Sequence, residues 1–173
     1  MFKIIMIYDQ VQAGLGTKSD DMLPLGAQNI SIGPSVMMER FLKENDEKVI
    51  ACFYCGTGTY LKNKQEISKK ICNKIEKIKP DVVICGPSFD YKSYSVMCAE
   101  LAYDIIHTTS VPAFAFMASE NDETIRDYKD KICIVRCPKK GDIQLNQCLR
   151  NACRIAKVLG VGNEPDRSEE CIY

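Results

Sequence analysis

The sequence lacks several features that would point directly to a function. Its 173 residues include no tryptophan and a single histidine, which argues against a zinc site built on histidines. Lysine plus arginine and aspartate plus glutamate both number 23, so the chain has no long-range attraction for nucleic acid or an anionic membrane. No apolar run reaches the roughly 18 residues that a membrane-spanning helix needs.

Sequence motifs for cofactors and for targeting are also missing. There is neither a Walker A motif nor Gly-x-Gly-x-x-Gly, and residues 13–16 hold only a fragment of such a loop. The apolar stretch at residues 1–8 lacks the cleavage signature of a signal peptide. We therefore expect a cytoplasmic protein with no evident cofactor, no metal, and neither nucleic acid nor membrane as a partner.

Cysteine is abundant, with ten residues, yet a disulfide scaffold is not expected. A chain of this length can bury a core of its own and needs no covalent cross-links. In a reducing cytosol most of these thiols behave as small apolar side chains. The composition, rich in lysine and isoleucine, is typical of an anaerobic bacterial source.

Apolar strands alternate with amphipathic helices along the chain. Five strands are predicted, over residues 3–8, 48–54, 82–85, 111–117 and 132–136. Four helices are predicted, over residues 35–43, 66–78, 94–107 and 143–159. This alternation predicts an α/β fold with a mostly parallel, doubly wound sheet and helices on both faces. We expect a single domain over residues 1–160 and a loose polar tail over residues 161–173. We also expect that the apolar edge of the sheet allows a homo-oligomer.

The most informative segment follows the second strand, where an apolar run ends at Cys55 and breaks into residues 56–59, Gly-Thr-Gly-Thr. In open α/β sheets, ligands bind at the carboxyl ends of the strands. Such a loop can aim N–H groups at an anion and lower a thiol pKa, so Cys55 is predicted to be either a reactive thiol or a buried strand-end cysteine. Cys52 lies three residues earlier and faces the other side of the strand, which argues against a Cys52–Cys55 redox pair.

Two later segments supply further candidates for the same site. Cys85 ends a strand, and Ser88 and Tyr94 follow it with hydroxyls that could meet a ligand. For Cys85, and for Cys98 on the apolar face of the next helix, core packing is the simpler interpretation.

Glu120 follows the fourth predicted strand. It either adds a carboxylate to the site or belongs to an acidic surface loop that spans residues 120–123. The sequence alone leaves both interpretations open.

The order of these residues resembles the N-terminal part of the selenoprotein B subunit of glycine, sarcosine and betaine reductases. The shared motifs are Asp9-Gln10-x-x-Ala13-Gly14-x-Gly16, Gly33-Pro34, Cys55-Gly56, Gly86-Pro87-x-Phe89, Tyr94-x-x-x-Cys98, Val111-Pro112 and Met117-x-x-Glu120-Asn121. The resemblance covers nearly the whole chain but only the front portion of the family protein. The chain departs from the family pattern at Asp9, where asparagine is usual, and at Thr57.

The resemblance implies a subunit of an oxidoreductase complex that acts in reductive C–N bond cleavage together with partner subunits. It also implies a bound small amino acid or amine derivative, and Cys55 and Cys98 as catalytic thiols. The family's selenocysteine lies beyond the matching portion. The residues expected to bind substrate are Gln10, Gly14, Gly56, Thr57, Cys85, Ser88, Tyr94 and Glu120.

Two other functions remain open at this point. The arrangement of Cys55 and Cys85 is similar to that of the two thiols that amino-acid racemases or isomerases place on either side of the α-carbon. A non-catalytic ligand-binding or assembly module is the other alternative, because the matching portion does not include the selenocysteine.

Overall fold

A computed structural model describes residues 1–139 and 141–173 of the chain. Six strands form one sheet, and their bounds are β1 Phe2–Tyr8, β2 Gly26–Gln28, β3 Glu47–Tyr54, β4 Val82–Ser88, β5 Ala113–Ala118 and β6 Ile134–Cys137. Their order across the sheet is β2-β3-β1-β4-β5-β6, and only the β2–β3 pair is antiparallel. The α/β prediction is confirmed, with one strand more than the five expected.

Helices cover both faces of this sheet. Their bounds are α1 Pro34–Glu44, α2 Thr57–Lys62, α3 Lys64–Ile78, α4 Lys92–Thr108, α5 Asp122–Tyr128 and α6 Leu145–Gly160. The four predicted helices are confirmed as α1, α3, α4 and α6, and the short helices α2 and α5 were not predicted. No helix in the described part of the chain is both long and apolar enough to cross a membrane.

Two apolar clusters hold the layers together, one on each face of the sheet. Ile5 and Ile7 of β1 pack in the cluster that α3 and α4 cover, whereas Ile4 and Met6 belong to the cluster under α1 and α6. Successive side chains of a strand point to opposite faces. A parallel sheet covered on both faces therefore needs strands that are apolar throughout, as β1 is.

Strand β4 continues through Gly86 and Pro87, beyond its predicted end at residue 85. The backbone of Gly86 has φ +134°, a conformation that favours glycine. A Cβ at Gly86 would also collide with the carbonyl oxygen of Phe116 on β5. Glycine thus lets the two backbones approach closely, and the strand carries Ser88 to the edge of the sheet.

The end of the polar tail is more ordered than predicted. The amide of Arg136 donates to the carbonyl oxygen of Cys171 at 2.8 Å. Ile172 is buried and forms an antiparallel bridge with Val135 of β6. The expectation of a loose tail is therefore wrong for its last residues, which lie against the sheet.

Candidate functional site

The candidate site lies where the order of the parallel strands reverses. Strand β3 pairs with β1 on one side, and β4 pairs with β1 on the other side. The chain therefore crosses from one side of β1 to the other between β3 and β4. The loops after β1 and β4 therefore diverge at the carboxyl edge, which is where open α/β sheets form ligand crevices. A cavity of about 180 Å³ opens there, lined by Val11, Gln12, Lys18, Phe89, Asp90, Tyr91, Tyr94 and Glu120.

A larger cavity of about 530 Å³ lies away from the strand ends, between α3 and α4. Its prominent polar side chains are already paired. Glu100 accepts hydrogen bonds from Tyr60 and Lys64 at 2.8 Å each, and Ser68 donates to Asp104 at 2.6 Å. A groove with satisfied groups has less need of a ligand, so the smaller crevice is the better candidate.

Hydrogen bonds centred on Gln10 fix the loops around the crevice. Its Nε2 donates to the Tyr91 hydroxyl at 3.2 Å, and its Oε1 accepts from the amide of Thr57 at 3.2 Å. The hydroxyls of Thr57 and Tyr91 are 2.9 Å apart. These three side chains follow β1, β3 and β4 respectively, so the network joins all three strand ends.

Lys18 supplies the positive charge at the crevice. Its Nζ donates to the carbonyl oxygen of Asp90 at 2.8 Å and lies 4.9 Å from the centre of the Tyr91 ring. Both contacts hold the ammonium over the β4 loop. A cation over an aromatic face is stabilised by the ring electrons, so Lys18 also covers that face of Tyr91.

Asp9 is a buried acid beside the same crevice. One carboxylate oxygen, Oδ1, accepts the amide of Gln12 at 2.7 Å. The other, Oδ2, is buried without a hydrogen-bond partner among the described residues. Burial raises the pKa of Asp9 to about 6, although backbone N–H groups and Lys18 oppose the rise. Lys18 and Tyr94, which line the crevice, lie within electrostatic range of this carboxyl group.

Glu120 brings a second carboxylate to the crevice from the end of β5. It lies in a short 3-10 turn, Ser119–Asn121, rather than in an open surface loop. Within the described chain its buried Oε2 has no hydrogen-bond partner. Asn121 fixes this turn, since its Nδ2 donates to the carbonyl oxygens of Ser88, Phe89 and Ala118. The β4 and β5 ends are thereby tied together.

Tyr94 lines the crevice and Ser88 ends β4, and the hydroxyl groups of both have partners in the chain. The Tyr94 hydroxyl donates to the carbonyl oxygen of Ile7 at 2.8 Å, and burial raises its pKa well above 10.0. The Ser88 hydroxyl makes two long bonds, both 3.4 Å, to the carbonyl oxygens of Phe89 and Tyr91.

The three predicted thiols belong to the apolar core rather than to an open cleft. Cys55, Cys85 and Cys98 are buried in the cluster under α3 and α4. Burial raises the pKa of Cys55 to about 11, and it also raises the pKa values of Cys85 and Cys98. These shifts are opposite to the predicted activation, because desolvation disfavours a thiolate.

The glycine-threonine segment after Cys55 starts helix α2 and is not an open loop. Its amides are already used: Gly56 donates to the carbonyl oxygen of Leu23, and Gly58 and Thr59 donate to that of Asp21. The predicted anion-binding loop is therefore wrong. Its Gly56 lies so close to the loop backbone at residues 21–23 that a Cβ would collide with it.

Gly14, one of the predicted site residues, lies in a turn of the loop after β1. It has φ +71°, and its amide donates to the carbonyl oxygen of Val11 at 3.0 Å.

The sequence did not predict Lys18, Tyr91 or Asp9 as site residues, because no spacing rule shows which loop side chains turn inward. In residues 1–139 and 141–173, no cluster of three or more histidine, cysteine or carboxylate side chains is placed to hold a metal ion.

Comparisons with curated proteins find relatives of this chain. Among curated relatives, the glycine reductase complex component B subunit gamma of Carboxydothermus hydrogenoformans is 25% identical over 135 residues, which cover 78% of this chain and 30% of the relative. The protein of the same name from Peptoclostridium acidaminophilum is 26% identical over 120 residues, 69% of this chain and 27% of the relative.

The chain thus spans less than a third of the length of these relatives. No solved structure matches it. The model of the family described as glycine/sarcosine/betaine reductase selenoprotein B matches residues 1–173. The resemblance of the motifs is confirmed, and this chain belongs to the glycine/sarcosine/betaine reductase selenoprotein B family.

Proposed function

We propose that the crevice binds a small amino acid or a related amine, and that this is the chain's part in a reductase-type reaction. The observation that carries the proposal is the meeting of both charges at one small cavity. Lys18 and Glu120 line it, and the carboxyl group of Asp9 lies within electrostatic range of Lys18. A zwitterion carries the complementary pair, and about 180 Å³ is below the roughly 300–1,000 Å³ of pockets for drug-sized ligands.

Calorimetry with glycine, with methylamine and with acetate tests this assignment, because methylamine and acetate each carry one of the two charges of glycine. We expect glycine to bind more tightly than methylamine or acetate, because only glycine presents both charges. Lys18→Met should weaken glycine binding several-fold, whereas Lys74→Met, an exposed lysine of α3, should leave it unchanged. Glycine binding that is equal in both variants would contradict the role of the crevice.

We also propose that other subunits complete the reaction. The relatives carry the name of one component of a glycine reductase complex, and the buried Cys55 and Cys98 have raised pKa values. Neither thiol is therefore prepared to act as a thiolate at neutral pH. We expect no C–N bond cleavage by the isolated chain with a dithiol, and cleavage once the remaining subunits of such a complex are added. Cleavage by the isolated chain would contradict the proposal.

A non-catalytic binding module is the second candidate, and the burial of the thiols favours it. Cys55→Ser separates the two in the reconstituted system. If this variant keeps its glycine affinity and its turnover, the thiol takes no part in the chemistry and the chain serves as a binding module. If affinity stays and turnover is lost, Cys55 is catalytic.

A racemase, which the raised pKa values of Cys55 and Cys85 disfavour, would exchange the α-hydrogen of an amino acid with deuterium unaided.

A further inference from the structure

Another cavity, of about 450 Å³, lies at the amino end of β3 and contains an unpartnered buried acid. Glu47 lines this cavity and is 5% exposed. Both of its carboxylate oxygens lack a hydrogen-bond partner within residues 1–139 and 141–173. A buried carboxyl group without donors is destabilising, so a ligand that donates to both oxygens would stabilise it.

The lysines around this cavity do not supply those donors. Lys157 of α6 lies within electrostatic range of Glu47, but its ammonium lies 4.5 Å from the centre of the Phe2 ring. Lys43 and Lys48 also line the cavity, and both are exposed. No base in the described part of the chain therefore donates to the Glu47 carboxyl group.

The walls of the cavity suit an organic cation with a short apolar part. Leu42 and Val49 contribute buried apolar side chains, and Glu39 adds a second, partly buried carboxyl group. The acids that line the cavity, Glu39, Asp46 and Glu47, are not placed to share a metal ion. A volume of about 450 Å³ falls within the roughly 300–1,000 Å³ of small-molecule pockets.

Two unpartnered oxygens on one carboxyl group match a guanidinium better than an ammonium. A guanidinium presents its N–H groups in a planar fork and can donate to both oxygens of a carboxylate at once. An ammonium is a compact charge with a stronger hydration shell, which it loses on entering a buried site. We propose that this cavity is a second ligand site, in which Glu47 binds the guanidinium group of a small alkylguanidinium. The inference does not rest on the proposed binding of an amino acid in the crevice.

Binding should require the ionised form of Glu47. Burial raises the pKa of this group to about 7, so affinity for a guanidinium should increase at least tenfold between pH 5.5 and pH 8. Other titratable or charged groups surround Glu47 from α1, from the start of β3, from α6 and from the chain terminus. They are Glu39, Lys43, Asp46, Lys48, Cys153, Lys157 and the amino group of Met1. The variant Glu47→Gln separates their titration from that of Glu47, because the dependence on pH should disappear in it.

NMR titration of the whole chain with ethylguanidinium at pH 8 tests the assignment, because the methyl groups of Leu42 and Val49 report on the cavity that they line. We expect saturable shifts of these methyl signals, and at least fivefold tighter binding of ethylguanidinium than of ethylammonium. Glu47→Gln should weaken binding at least tenfold, since an amide is uncharged and keeps only one acceptor oxygen. Glu164→Gln, an exposed glutamate in the tail, should leave the affinity unchanged.

Three results would overturn this assignment. If ethylguanidinium causes no saturable shift at Leu42 and Val49, the cavity is not a ligand site. If Glu47→Gln, shown by a thermal melt to be folded, binds as tightly as the unmodified protein, Glu47 takes no part in recognition. If ethylammonium binds as tightly as ethylguanidinium or more tightly, the choice of guanidinium is wrong. Glycine binding in the crevice is measured separately and does not depend on any of these results.

Discussion

The buried acid Glu47 should make the stability of this protein fall as the pH rises. Glu47 begins β3 opposite Phe2, at the end of the sheet away from the crevice. It is 5% exposed, and neither carboxylate oxygen has a hydrogen-bond partner among residues 1–139 and 141–173. Burial raises its pKa from 4.5 to about 7, although Lys157 opposes the rise.

The sign and the size of the effect follow from these two pKa values. The folded state holds the proton of Glu47 more tightly than the unfolded state does. The contribution of Glu47 to stability is therefore fully present below pH 4.5 and is lost as the pH rises through about 7. A tenfold change in an acid constant corresponds to about 1.4 kcal/mol, so complete ionisation lowers the free energy of unfolding by up to about 3 kcal/mol.

Urea unfolding of the protein and of Glu47→Gln between pH 4.5 and pH 8 measures this effect. The difference in the free energy of unfolding between the two should change by about 3 kcal/mol in favour of the glutamine variant as the pH rises. Glu164→Gln, an exposed glutamate in the tail, should run parallel to the unmodified protein. Parallel curves for Glu47→Gln as well would show that Glu47 titrates normally and would refute the argument from burial.

Two further predictions concern the thiols and the strand glycine. Only Cys148 and Cys171 are partly exposed, and the other eight cysteines are buried, so iodoacetamide at pH 7 should label these two first in a mass-spectrometric time course. Rapid labelling of Cys55 in the folded protein would contradict its burial. Gly86→Ala should lower the free energy of unfolding by more than about 1 kcal/mol, because the added Cβ meets the Phe116 carbonyl. Gly162 also has a positive φ, +84°, but there is open space around an added Cβ, so Gly162→Ala should lower the free energy of unfolding by less in the same urea titration.

The sequence predicted those parts of the fold that periodicity controls. Ile67, Ile71 and Ile75 fall on one helical face, and all three are buried in the core. Helix α2 was not predicted, because the Gly-Thr-Gly-Thr segment at its beginning has low helix propensity. Hydrogen bonds from Gly58 and Thr59 to Asp21, a distant loop residue, hold it in place.

The candidate site was only partly accessible from the sequence. The strand ends directed the prediction to one edge of the sheet, and Tyr94 and Glu120 line the cavity at that edge, while their binding roles stay predictions. The position of Lys18 depends on contacts with the β4 loop that no local pattern encodes. The direction of the Cys55 pKa shift depends on how deeply the surrounding helices bury the thiol, which spacing along a strand cannot show.

The bridge between Ile172 and Val135 has a consequence for self-association. An open strand edge is a template on which a second chain can add a strand, and the last residues of the chain occupy that position beside β6. At the opposite edge, β2 has only three residues and offers little length for pairing. Any homo-oligomer of this protein should therefore form through its helices or loops, with the sheet of each copy remaining separate.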